Sequence, residues 1–217
     1  MIRQASSYLD VENYTGDIAI LGGSFNPIHV GHIRMAESFY KQFGIDIVLM
    51  PNKTTYYKEN RAFVSDEDRL NMLSLVAEHY PYMYVSDLEI VRGGVTHTID
   101  TIRELKKANI SRDIYFIIGG DSLEWIDKWV DAEELISTVH FVSAIRGDTD
   151  LDRTKAIIDR LNTEYPKSRI SILDMENTPV SSSEIRNRIA QGLDISEFVP
   201  DYISDYIQKN SLFKGEM

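Results

Sequence analysis

Two apolar runs in this chain each break off at a pair of glycines: Ile18-Ala19-Ile20-Leu21 before Gly22-Gly23, and Ile114 to Ile118 before Gly119-Gly120. Runs this short, with no alternating polar face, read as strands buried within a sheet rather than as helices. Further short runs at 45–50, 82–86, 139–145 and 170–173 alternate with helical stretches. The helical pattern covers Asn26-Pro27 to Phe43, with Asn26 as N-cap and Pro27 as first helical residue, then 65–78, 98–107, 151–165, 182–191 and 201–209. Strands alternating with helices predict an α/β fold, a parallel sheet wrapped by helices. In such sheets ligands bind outside the carboxyl ends of the strands, so the glycine pairs, with Gly93-Gly94 as a third, mark where chemistry belongs.

Residues 1–16 form a polar N-terminal extension, and 17–217 read as a single domain. The stretch 52–63 is polar and without period, a loop. The absence of cysteine excludes disulfides and thiolate chemistry. With no signal-peptide core and no apolar run of membrane-spanning length, a cytoplasmic protein without membrane contact is expected. A net charge of −11 argues against nucleic acid as a partner but not against a small anion, because a helix N-terminus supplies donors locally. Nothing in the sequence sets the oligomeric state, and a homo-oligomer is compatible with it.

The densest signal is Gly22-Gly23-Ser24-Phe25-Asn26-Pro27-Ile28-His29-Val30-Gly31-His32. Gly22 and Gly23 let backbone approach a ligand, Ser24 adds a hydroxyl, and the helix start adds unpaired amides. His29 and His32, three apart, would share one helical face. Gly31 between them weakens the helix by about 1 kcal/mol relative to Ala, which makes sense if a side chain there would block a phosphate. Near the other end, Ser181 and Glu184 form an S-x-x-E capping box, placing Ser182 and Ser183 in a first turn, with Arg186 one turn on and Arg188 after it. Hydroxyls, a helix N-terminus and a guanidinium make a small anion site. No Walker A loop and no G-x-G-x-x-G occurs.

Between these segments, Arg92-Gly93-Gly94-Val95-Thr96-His97-Thr98-Ile99-Asp100-Thr101 precedes a helix that Thr98 or Asp100 would cap. Gly119-Gly120-Asp121 leads into Trp125 and Trp129, four apart and so on one helical face. By themselves the tryptophans are as well explained as core anchors, and the capped helix needs no ligand.

The first segment resembles the signature of the HxGH nucleotidylyltransferase superfamily, in which Thr and Asp are commoner where this chain has Ser24 and Asn26. Val180-Ser-Ser-Ser-Glu-Ile-Arg186 is similar to that superfamily's ISSTxIR segment. From about Asp17 to Phe213, including Val199-Pro200, the chain resembles the bacterial nicotinate-mononucleotide adenylyltransferases. It departs from them in its N-terminal sixteen residues and in Tyr56-Tyr57-Lys58, where they show Pro-His-Lys. The resemblance implies a Rossmann-like, doubly wound parallel sheet with helices on both faces and a small C-terminal helical part. It implies adenylyl transfer from ATP to nicotinate mononucleotide, a step of NAD biosynthesis, with Mg²⁺ accompanying ATP and no metal site of the protein's own. His29, His32 and Arg186 would be catalytic. Gly22, Gly23, Ser24, Phe25, Gly31, Lys58, Gly119, Asp121, Ser182 and Ser183 would bind ATP. Trp129 would stack on the nicotinate ring and Thr98 would help hold its carboxylate. Rival readings are nicotinamide mononucleotide or phosphopantetheine as acceptor, a nucleotide sensor without turnover, and a structural α/β domain.

Overall fold

The computed structural model describes residues 14, 16–53, 64–108, 112–145, 149–176 and 178–214. Six strands form one parallel sheet: β1 (Ile18–Gly23), β2 (Ile47–Pro51), β3 (Met83–Val85), β4 (Ile114–Gly119), β5 (His140–Ala144) and β6 (Arg169–Leu173). Their order, β3-β2-β1-β4-β5-β6, reverses direction between β1 and β4, as in dinucleotide-binding folds. The expected α/β class therefore holds.

Every strand residue of β1 before its glycines is buried, but on alternating sides. Ala19 and Leu21 join one core with Ile47, Leu49, Ile117 and Val142. Ile18 and Ile20 join the other with Val48, Met50, Phe116 and Phe141. Burying a Val, Leu, Ile, Phe or Met side chain is worth about 1.5–3 kcal/mol, which a polar residue at these positions would forfeit.

The first core is covered by α1 (Val30–Phe43), α2 (Asp66–His79), α8 (Ser182–Ala190) and α9 (Asp201–Lys209). The second is covered by α4 (Thr98–Ala108), α6 (Ala132–Thr138) and α7 (Thr149–Glu164). Two more short helices, α3 (Leu88–Arg92) and α5 (Gly120–Leu123), were not expected from sequence, nor was α6 or the 3₁₀ turn Ile126–Lys128. The C-terminal helical part is present: α9 docks on α2, where the Tyr206 hydroxyl donates to Asp68 at 2.9 Å and Tyr202 stacks on His79. No helix of the described residues is long and apolar enough to cross a membrane.

Three local expectations need correction. Helix α1 begins at Val30 with His29 as N-cap, so Asn26 and Pro27 lie in the preceding turn, joined by a cis peptide bond. Gly93-Gly94 ends α3 rather than a strand, and both residues take positive φ (70° and 74°), which glycine adopts without a steric penalty. Trp125 and Trp129 do not share one regular helix, because α5 ends at Leu123 and a 3₁₀ turn separates them.

At the opposite end of the sheet from the glycine pairs, His140 donates to or accepts from Ser171 Oγ at 2.8 Å and stacks on Tyr115. Burial first, then the Arg169 charge, holds its imidazole below the ordinary histidine range. The folded state thus prefers the neutral ring, while the unfolded chain takes up a proton near about pH 6.5. This contribution is complete above that pH and is lost as pH falls toward the folded value. Urea unfolding at about pH 7.5 and about pH 5.5 should show a smaller loss of stability on acidification in His140→Gln than in the wild type.

Candidate active site

Because β1 and β4 are adjacent, their glycine-bearing ends open side by side. A cleft of about 1040 Å³ lies there. Its wall includes Gly22, Gly23, Ser24, His29, Gly31, His32, Thr98, Gly119, Asp121, Trp129, Ser182, Ser183 and Arg186. Every described residue given a catalytic or binding role from sequence lines it except Phe25. Phe25 is fully buried behind it, and Lys58 lies outside the described residues.

Phe25 has φ +44, a left-handed conformation that a bulky residue adopts only when its surroundings hold it there. Its ring fills the space that a Cβ on Gly23 would need (3.2 Å) and meets the His32 ring edge-on at 5.0 Å. Phe25 therefore supports the histidine from behind.

His29 caps α1 in an extended conformation, and its ring stacks on that of His32 with centroids 3.7 Å apart. The His29 amide donates to His32 Nδ1 at 3.3 Å. That bond uses Nδ1 as acceptor, so in the neutral ring of His32 the proton sits on Nε2. The start of α1 is less open than the sequence suggested, since the Val30 amide donates to Phe198 O at 2.9 Å.

Gly31, which lines the cleft, also has a packing reason beside the ligand clearance read from sequence. A Cβ there would lie 2.9 Å from Val180 Cγ1 and 3.1 Å from the His29 ring. The glycine lets α1 press against the residue that opens the Val180–Arg186 segment. The two segments are in fact bonded: Ser182 Oγ donates to Pro27 O at 2.8 Å, and Arg186 donates to Asn26 O at 2.7 Å and to Ser183 Oγ at 3.1 Å. Ser181 caps α8 as expected, accepting from the Glu184 amide. Arg188 turns elsewhere, donating to Asp194 O and lying over the Phe198 ring.

Sequence reading missed Arg69. Its guanidinium is buried (1% exposed), donating to Ser24 O at 2.9 Å and to Asp66 at 2.5 Å. Asp66 in turn pairs with Lys53. Burial pushes the Asp66 carboxyl up, but the hydrogen bonds from Lys53 and Arg69 outweigh it and hold it below the usual carboxylate range. The signal was available: Arg69 sits beside Leu70 and Leu73 on the buried side of α2, where a charge needs a partner.

At the other end of the cleft, Thr98 is the first residue of α4 rather than its cap, and Asp100 pairs with Arg103 at 3.8 Å. Glu89, also missed, lines this end and accepts from Thr101 at 2.6 Å, while Arg92 bonds to Thr101 and Glu104. Burial pushes its carboxyl up, against the Thr101 hydrogen bond and the Arg92 charge. Trp129 packs edge-on against Phe116 and Phe141, and Trp125, at 61% exposure, stands at the rim. Gly119 is tight for a local reason: a Cβ would meet the Asp121 carboxylate at 2.5 Å.

Two substitutions separate these roles. Gly31→Ala gains about 1 kcal/mol of helix propensity but forces Val180 and the His29 ring apart, so the melting temperature should change little while turnover falls about ten-fold or more. Arg69→Lys keeps the charge but not the fork that reaches both Ser24 O and Asp66, and chemical denaturation should show a loss of about 1–3 kcal/mol.

The cytidylyltransferase-like family model matches residues 20–188. A probable nicotinate-nucleotide adenylyltransferase of Lachnoclostridium phytofermentans is 38% identical over 197 residues, covering 90% of this chain and 98% of its own length. One from Streptomyces coelicolor is 36% identical over 198 residues, covering 90% and 100%. Among solved structures, a Plasmodium falciparum nicotinic acid mononucleotide adenylyltransferase complexed with NaAD has the same fold, with TM-score 0.74 at 22% identity over 93% of this chain and 99% of that one. The chain belongs to the cytidylyltransferase-like family and, within it, to the nicotinate-nucleotide adenylyltransferases.

Proposed function

We propose that this protein transfers the AMP part of ATP to nicotinate mononucleotide, giving nicotinate adenine dinucleotide and pyrophosphate. The observation that carries this reading is the bonding of Ser182 and Arg186 to the carbonyls of Pro27 and Asn26. It sets the histidine turn and the serine–arginine turn on one wall, as a single site for a polyphosphate requires. The same contact between distant segments supports reading residues from Asp17 onward as one catalytic unit, placed in the cytoplasm where ATP is available.

The attacking group is a phosphate monoester, mostly dianionic at neutral pH because its second pKa is about 6. It needs no general base, so the protein's task is to hold two anions in line and to stabilise charge moving onto the bridging oxygen. His32, with its Nε2 proton, and Ser24 would donate around the α-phosphate, with His29 stacked behind His32 in support. Ser182, Ser183 and Arg186 would receive the pyrophosphate. Gly22, Gly23 and Gly119 would keep the strand ends bare for the nucleotide, and Asp121 would take a ribose hydroxyl. Thr98 and Trp129 would hold the pyridine ring and its carboxylate. The polar groups at the phosphate end are mostly donors, which fits a Mg²⁺ that arrives on the triphosphate, held by phosphate oxygens and water, and neutralises part of its charge.

Pyrophosphate release should be strong with ATP, Mg²⁺ and nicotinate mononucleotide. Release with nicotinamide mononucleotide alone, or with neither acceptor, would sink the reading. His32→Gln is the informative variant, because glutamine at this helix position can still reach back to the His29 amide. Its kcat should fall about ten-fold or more with stability held within about 1 kcal/mol. Unchanged turnover in the folded variant would remove His32 from the chemistry.

A further inference from the structure

The acid and amide forms of a pyridine mononucleotide differ by one negative charge, so discrimination between them is a difference that a suitably placed cation can supply. Two cations line the cleft among the described residues, Arg186 and Lys128. Arg186 is committed to the phosphate end through Asn26 O. Lys128 directly precedes Trp129 and follows Trp125 by one 3₁₀ turn, its amide donating to Trp125 O at 2.9 Å, and both tryptophans line the cleft.

The Lys128 side chain is 69% exposed, with Nζ 3.3 Å from Asp127 Oδ2. Asp127 is only 10% exposed and is also held by Arg160 at 3.2 Å. Burial pushes the Asp127 carboxyl up, yet the hydrogen bonds from Lys128 and Arg160 outweigh it and keep it low. Because Arg160 stays on Asp127, Lys128 can leave without stranding a half-buried charge. A lysine that was the sole partner of such a carboxylate would oppose the move. The nearby charges do not supply the same function: Glu89 is anionic when ionised, and Arg92 is engaged with Thr101 and Glu104.

We propose that Lys128 selects an acid over an amide on the acceptor ring, its ammonium passing from Asp127 to the ring carboxylate when the substrate binds. This rests on the reading of the chain as a nicotinate-mononucleotide adenylyltransferase.

The test is steady-state kcat/KM for both mononucleotides in the wild type, Lys128→Gln, Lys128→Arg and Lys155→Gln, a control on the exposed side of α7. In Lys128→Gln the acid-to-amide ratio should fall about five-fold, the scale of one exposed ion pair, through a raised KM for the acid with kcat little changed. Lys128→Arg should restore most of the ratio, and Lys155→Gln should leave it alone. Added salt should erode the wild-type ratio more than that of Lys128→Gln. A ratio in Lys128→Gln equal to the wild type's, or an equal fall for both acceptors, overturns the assignment of Lys128 and leaves the activity standing. A wild type inactive on the acid overturns both.

Discussion

The carbonyls of Asn26 and Pro27 lie just before the helix that follows them, and donors from the far end of the chain take both: Arg186 at 2.7 Å and Ser182 at 2.8 Å. Without those bonds the histidine turn and the serine–arginine turn would be two separate helix starts. A side chain bonding a backbone carbonyl tolerates little displacement, so the two turns keep one relative geometry. Gly31 makes the approach possible by letting Val180 reach α1, and Arg69 holds the same turn from behind through Ser24 O. This end of the cleft is therefore braced from two sides before any ligand arrives.

An acidic chain can host anions because the donors are local and already oriented. At −11 the protein's overall field repels a triphosphate, and few cations line the cleft. What it offers instead are hydroxyls, an imidazole whose neutral tautomer is set by the His29 amide, and one guanidinium held by the Asn26 carbonyl and the Ser183 hydroxyl. Preorganised dipoles in a partly enclosed cleft need no reorganisation at the moment of reaction, whereas flexible surface lysines do. This also suits a reaction whose nucleophile is already charged.

Much of this was legible from residue order. The short apolar runs located all six strands, and the glycine pairs after β1 and β4 marked the crevice between them. Boundaries moved by a residue or two where a strand pairs further with its neighbour, as at the end of β2, where Pro51 lies opposite Gly23 and the Asn52 amide donates to Gly23 O. The start of α1 was misread because Asn-Pro commonly opens a helix, and here tertiary bonds to Asn26 and Pro27 hold that dipeptide in a turn instead. Arg69 was overlooked because its reason for burial, the carbonyl of Ser24, lies 45 positions earlier in the chain. The tryptophans were placed on a continuous helix because spacing alone cannot reveal a break between α5 and the 3₁₀ turn.

The two ends of the cleft are built by different means, and that difference bears on how such a site can change its acceptor. The end that carries the histidines and Arg186 rests on strand termini, buried Phe25 and Arg69, and side-chain bonds to backbone, so most substitutions there disturb packing as well as contact. The end that carries the tryptophans rests on a one-turn helix, a 3₁₀ turn and the start of α4, with Trp125 and Lys128 largely exposed. Exposed tips on short elements can be exchanged at little cost in stability, since surface substitutions usually stay within about 0.5 kcal/mol. A fold arranged this way holds one end of its cleft fixed while the other end stays open to exchange.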